Sequence, residues 1–188
     1  MKASKRNPLV SVIIPTHNRG WVLSEAIDSV LAQDFQDYEL IVVDDGSTDD
    51  TREILDTYGR DIIVLHQTNK GVSAARNQGI AQAGGQLLAF LDSDDILIED
   101  ALKQSVEVLD SHPEVTFSHG QAYLMDDSNR IYSLRHHSGH ESYICNGIEE
   151  IKKAIFNGNH ITTSTIMARL SRLSEVGFFD ETFRYGSE

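Results

Sequence analysis

Four short runs rich in branched aliphatic residues, 9–14, 39–43, 62–66 and 87–91, are each followed by a segment of helical period. This alternation constrains the chain more than any other feature. Strands with few polar positions must be covered on both faces, and a helix between consecutive strands lets them lie parallel. The chain is therefore expected to adopt an α/β fold, a Rossmann-like α/β/α sandwich around a mainly parallel sheet.

Local signals set the expected boundaries. Pro15 is expected to stop the first strand. Trp21, Val22, Ala26, Ile27, Val30 and Leu31 recur at helical spacing between 19 and 33. Ser47 or Thr48 can cap a second helix whose first turn holds Asp49 and Asp50, with Gly59 ending it after Tyr58. A third helix is expected over 72–83, closed by Gly84-Gly85, and a fourth over 99–111, stopped by His112-Pro113. After Pro113 the pattern changes to a smaller antiparallel portion. Segments 115–125 and 131–135 read as a strand pair joined by a polar turn at 126–130. A short helix (148–156), a strand (163–168) and a helix (170–176) ended by Gly177 follow. No repeat or linker divides the chain, so a single domain over 1–188 is expected, with 1–112 and 113–188 as its two portions.

Charge narrows the function classes. With 16 Lys+Arg against 29 Asp+Glu the net charge is −13, a surface that repels a phosphate backbone and argues against nucleic-acid binding. The lone Cys145 forms no internal disulfide, which fits a reducing compartment. No apolar run reaches the roughly 20 residues of a membrane span, and no apolar stretch follows the basic start as in a signal peptide.

Scattered carboxylates only confer solubility, but two clusters here are not scattered. Asp44-Asp45 lies at the end of the second predicted strand and Asp92-Ser93-Asp94-Asp95 at the end of the fourth, while the first runs into Pro15-Thr16-His17-Asn18-Arg19. Open α/β sheets bind ligands beyond the carboxyl ends of their strands, so these endings converge on one candidate site. If the strand pleat continues, Asp92 and Asp94 face one centre, and oxygen ligands without Cys or paired His suit Mg²⁺ or Mn²⁺. Asp95 is equally readable as a cap for the following helix.

These segments together resemble the family 2 glycosyltransferases. The resemblance rests on 12–19 (Val-Ile-Ile-Pro-Thr-His-Asn-Arg), 43–47 (Val-Asp-Asp-Gly-Ser), 71–77 (Gly-Val-Ser-Ala-Ala-Arg-Asn), 90–95 (Phe-Leu-Asp-Ser-Asp-Asp) and 175–181 (Glu-Val-Gly-Phe-Phe-Asp-Glu), in matching order and spacing. It implies a GT-A fold with an acceptor-side portion after residue 112, and inverting transfer from a nucleotide sugar to a glycan, lipid-linked or other hydroxyl acceptor. By this resemblance Pro15 and Thr16 line the base pocket, Asp45 bonds the base, usually uracil, and Arg76 passes near the diphosphate. Asp92 sits by the ribose and donor sugar, and Asp94 holds Mn²⁺ or Mg²⁺ against the diphosphate. Asn18, Arg19, Gly71 and Ser93 complete the implied nucleotide-sugar contacts. Guanine and thymine remain open as bases. A cytoplasmic location, at the membrane face in a longer protein, and a part in cell-surface polysaccharide synthesis are implied in the same way.

Inversion needs a general base for the acceptor hydroxyl. In the family this is commonly an Asp that follows a Glu shortly after the Phe-Asp-Glu segment. Glu188 matches that Glu, so the chain is expected to stop one residue before its base, and a frayed terminal Glu188 is a poor substitute. The resulting alternative is a module that binds nucleotide sugar without turnover. Pyrophosphorylases and dinucleotide dehydrogenases are disfavoured, because no Gly-rich loop follows the first strand. His136, His137 and His140 read as a polar loop, Trp21 as core or rim, and Cys145 as inert. His160 reads equally as a loop histidine or an acceptor-side group.

Overall fold

The first strand, β1 (Val10–Thr16), carries no charged residue, and all seven of its side chains are buried. Such a strand belongs at the centre of a sheet. In the computed structural model, which describes residues 7–126, 128–135 and 161–182, β1 pairs in parallel with β2 (Tyr38–Asp44) on one side and β4 (Leu87–Phe90) on the other. The strand β3 (Ile63–His66) extends the sheet beyond β2. The order is β3-β2-β1-β4-β8-β5, where β8 (Ile166–Arg169) runs antiparallel between β4 and β5 (Phe117–His119). The mainly parallel sandwich and the smaller antiparallel portion are both present.

Side-chain alternation along β1 divides the core. Val10, Val12 and Ile14 pack with Leu23, Ile27 and Val30 of α1 (Gly20–Leu31), Leu55 of α2 (Thr51–Thr57) and Leu102, Val106 and Leu109 of α4 (Ala101–Ser111). On the opposite face Ile13 meets Ile80 of α3 (Val72–Gln82), and Leu170 and Leu173 of α5 (Leu170–Val176) pack against the same cluster. The α3 helix presents small residues, Ala75 and Gly79, and therefore lies very close to β1: a Cβ on Gly79 would sit 2.5 Å from Ile13 Cγ2.

Several boundaries differ from expectation, each for a physical reason. β1 continues through Pro15, which registers with Val43. Leu91 donates to the Ile13 carbonyl and Asp45 to the Thr16 carbonyl, so alternation turns the Pro15 nitrogen towards β4 beyond Phe90, where the ladder has ended. No ladder bond is lost. The α2 helix starts at Thr51, not at Asp49: the Asp49 carboxylate accepts the Thr51 amide at 3.1 Å and the Gly20 amide at 3.1 Å, tying two loops together. The predicted 115–125 strand splits at Gly120, whose amide bonds the Thr165 carbonyl; β5 stays in the main sheet, and β6 (Ala122–Met125) leaves to pair with β7 (Ile131–Arg135). Thr163–Thr165 is a 3-10 turn rather than the start of a strand. Trp21 is 71% exposed, so it is not a core residue. Gly177 ends α5 in the left-handed conformation, as expected. The predicted helix 148–156, the histidines 136, 137, 140 and 160, Cys145 and Glu188 lie outside the described residues. Among the described residues no helix is long and apolar enough to cross a membrane.

Glycine to alanine inside a helix ordinarily stabilises by about 0.5–1 kcal/mol. At Gly79 the sign should reverse, because the new methyl group meets fully buried Ile13; overpacking of this kind costs about 1–3 kcal/mol. Urea unfolding of Gly79→Ala should show the loss, and a stabilised variant would mean that α3 has slack against β1.

Candidate functional site

The register of the parallel strands brings their carboxyl ends to one edge. Thr16 pairs with Asp44, Asp44 with His66, and Ile13 with Phe90, so segments 16–19, 44–47, 66–71 and 91–95 emerge together. Their side chains are bound to one another in a dense polar network.

Asp44 is buried, with its Oδ1 accepting the Ser47 amide at 2.9 Å and its Oδ2 lying 3.0 Å from His66 Nδ1. Burial pushes this carboxyl up. Hydrogen bonds from the Ser47 hydroxyl and amide and from His66, with the charge of His66, more than offset that and hold it below the ordinary carboxylate value. Asp45, also buried, accepts three hydrogen bonds from the segment after β3: Gln67 Nε2 at 2.6 Å, the Lys70 amide at 2.8 Å and the Gly71 amide at 2.8 Å. Gly71, with φ of 93°, is in a conformation that favours glycine and leads directly into α3. Asn18, with φ of 50°, accepts the Thr48 amide at 2.7 Å through Oδ1 and donates its own amide to Ser47.

The second acidic cluster is a turn, not a continuation of the strand. β4 ends at Phe90, and the Asp95 amide bonds the Asp92 carbonyl at 3.0 Å. The pleat rule that would face Asp92 and Asp94 to one centre therefore does not apply. Asp92 instead pairs with Arg76 of α3 at 2.6 Å, while Asp94 lies 3.8 Å from Arg19 Nε with its side chain 52% exposed. Ser93 is buried. Ser164 fastens the turn from 72 residues away, its hydroxyl oxygen accepting the Asp92 amide. The same hydroxyl donates to Asp95, whereas α4 begins at Ala101 without a side-chain cap. No group of three or more His, Cys, Asp or Glu positioned to hold a metal occurs among the described residues.

Four buried side-chain polar atoms among the described residues lack a hydrogen-bond partner, and three of them, Thr16 Oγ1, His17 Nδ1 and Arg76 Nε, belong to residues of this edge and of the helix beside it. Folded proteins pair nearly all such groups, so their clustering makes this edge the candidate site for a polar ligand. The expected residues Pro15, Thr16, Asn18, Arg19, Asp45, Gly71, Arg76, Asp92, Ser93 and Asp94 all lie in this region. Sequence reasoning passed over His66 and Gln67, although they end a fourth strand and obey the same rule as the other three. Ser164 gave no comparable signal, because its partners Asp92 and Asp95 are far away in the chain.

Comparison with known proteins decides the family. Residues 11–177 match the profile of Glycosyl transferase family 2. The chain belongs to this family. An uncharacterized glycosyltransferase of Rickettsia felis is 35% identical over 193 residues, covering 95% of this chain and 29% of that protein. S. aureus TarS, residues 1–349, superposes with a TM-score of 0.66 at 25% identity, covering 94% of this chain and 52% of that one; TarS has also been solved with UDP and with UDP-GlcNAc. The mannosyltransferase PcManGT of Pyrobaculum calidifontis, solved with GDP-Man and Mn²⁺, shares the fold with a TM-score of 0.65 at 19% identity, covering 94% of this chain and 49% of that one. The family 2 match and these relatives place the chain in the glycosyltransferase class of enzymes, with a GT-A fold. The chain spans between 26% and 58% of the lengths of its Rickettsia relatives.

The depressed Asp44 carboxyl sets a pH dependence. A group with a lowered folded-state pKa contributes stability above its unfolded value, here near 3.8, and loses it as pH falls through the folded value. The free energy of unfolding should therefore fall as pH drops below about 4. Chemical denaturation across that range should show a shallower fall for Asp44→Asn than for the wild type.

Proposed function

We propose that the chain binds a nucleotide sugar along the carboxyl edge of β1, β2 and β4 and serves transfer of that sugar, with inversion, to an acceptor hydroxyl. The observation that carries this reading is the division of labour among its carboxylates. Asp44, Asp45 and Asp92 are tied to partners within the chain at 3.0 Å or less, whereas Asp94 is half exposed and, among the described residues, held only by a 3.8 Å contact with Arg19. Asp94 is thus the carboxylate that can turn to a ligand.

The other roles follow from what each group already binds. A carboxylate offers about four lone-pair sites, and Asp45 spends three on Gln67, Lys70 and Gly71, leaving one for a base N–H. In doing so it shapes segment 67–71, which with Pro15 and Thr16 would line the base pocket. Asp92, paired with Arg76 and 37% exposed, would accept hydrogen bonds from ribose or sugar hydroxyls, and the Arg76 guanidinium beside it would supply positive charge near the diphosphate. Asn18, Arg19, Gly71 and Ser93 line the remainder. Similarity to TarS at 25% identity supports UDP as the nucleotide.

Asp94 would hold a divalent ion such as Mn²⁺ or Mg²⁺, its oxygen atoms matching a hard cation that takes its other ligands from phosphate and water, with Asp92 as an outer partner. When bound, such an ion neutralises charge on the departing diphosphate. In this reading residues 1–112 form the donor half and 113–188 begin the acceptor half. The acceptor in this reading is a glycan, lipid-linked or other hydroxyl compound. A cytoplasmic setting fits the lone Cys145.

Thermal unfolding during a UDP titration tests the assignment. With Mn²⁺ present, UDP at one hundred times its Kd should stabilise by about 2.7 kcal/mol. For a chain of this size that raises the midpoint by roughly 2–4 °C per kcal/mol. The shift should shrink sharply without the metal and in Asp94→Asn. No shift with UDP, GDP or dTDP would remove the donor site from this edge.

A further inference from the structure

Two consecutive residues of α3 point to two different parts of the chain. Arg76 reaches Asp92 in the acidic turn, as described above. Asn77 instead grips a segment 102 residues away: its Oδ1 accepts the Phe179 amide at 3.0 Å, and its Nδ2 donates to the Phe179 carbonyl at 2.9 Å and to Glu181 Oε1 at 2.8 Å. A carboxamide that satisfies both backbone groups of one residue acts as a strand edge would, and fixes that residue in position and orientation. The Phe179 ring then packs edge-on against Phe90 with centroids 5.1 Å apart, and it lies 5.2 Å from the Arg76 guanidinium carbon above its face.

The approach to this clamp is strained. Gly177 and Phe178 both have positive φ, 94° and 59°, and turn the chain out of α5 before residues 179–181 meet Asn77. A bulky residue such as Phe178 holds a left-handed conformation only where its surroundings over-determine it. Phe178 is itself 42% exposed; its amide and that of Gly177 bond the Leu173 carbonyl at 3.4 and 3.1 Å, and on its other side the next residue, Phe179, is fixed by Asn77. The whole path is continuous: segment 177–181, Asn77 and the Phe179 ring, Arg76, Asp92.

We infer that Asn77 is a positioning residue for the transfer, seating segment 177–181 against the Arg76–Asp92 pair so that the acceptor-side chain is held in register with the donor edge. The inference rests on the donor-site reading given above for Asp92. Its chemistry needs no new ligand: ordering of Asp92 by donor passes through Arg76 to the face of Phe179, and the Asn77 clamp turns that into order of the backbone that follows.

Backbone hydrogen exchange over 178–182 tests it, measured with and without UDP and Mn²⁺ in the wild type, Asn77→Ala and Asn77→Asp. In the ligand-free protein Asn77→Ala should speed exchange of the Phe179 amide about tenfold or more. Asn77→Asp keeps the acceptor for that amide but loses the donor and sets a charge against Glu181, so protection should persist at Phe179 and fall at 180–182. UDP with Mn²⁺ should slow exchange of the segment in the wild type and not in Asn77→Ala, while the UDP midpoint of the two stays within about twofold. Unchanged Phe179 exchange in Asn77→Ala, or equal slowing by UDP in both proteins, would overturn the inference. Should Asn77→Ala fail to fold, the contrast between Phe179 and 180–182 in Asn77→Asp decides it alone. If the wild type binds no UDP, the donor-site reading fails on its own, and the ligand-free comparison still judges the clamp.

Discussion

Burial of β1 on both faces and both edges is the constraint from which the rest of the molecule follows. A strand with parallel partners on each side and helices above and below has no place for charge along its length. Polar function is thereby displaced to its carboxyl end, where the neighbouring strands also terminate. Thr16, Asp44 and His66 are level with one another because the register that packs Ile13, Ile41 and Val43 into the core leaves them nowhere else to be. The site is a by-product of the core's geometry as much as of its own chemistry.

Most of this architecture can be read from periodicity. The strand and helix alternation, the α3 helix between Gly71 and Gly84, and the α5 helix ended by Gly177 all rest on local signals that nothing in the tertiary structure opposes. The departures share one cause, which is long-range use of residues that carry strong local preferences. Asp49 looks like a first-turn helix residue, yet its carboxylate is taken by Gly20, 29 residues away. Pro15 looks like a strand end, yet β4 has stopped short enough to spare its missing donor. The 115–125 run reads as one strand, but the edge offered by β8 captures only the part before Gly120.

The candidate site divides in the same way. That acidic residues gather at strand ends was legible, since it needs only the order of elements. How each carboxylate is used was not. Asp45 turns inward to the 67–71 segment, Asp92 is claimed by Arg76, and Ser164 braces the acidic turn; each involves a partner whose identity depends on the folded path. A family 2 enzyme thus has two claims on its acidic residues, the chain's own and the ligand's. Only the folded arrangement shows that Asp94 is the least committed of them.

The close seat of α3 on β1 bears on how such a scaffold diversifies. With Gly79 pressed against Ile13 there is no compressible layer between helix and sheet, so the pair shifts as one body or not at all. Substitutions that retune the polar edge are therefore best accommodated in the loops and in the outer antiparallel portion, which can remodel without transmitting strain to the hub. For anyone recombining parts of related enzymes, the natural seam lies outside α3: a graft that exchanges this helix without its strand would trade one matched surface for two mismatched ones.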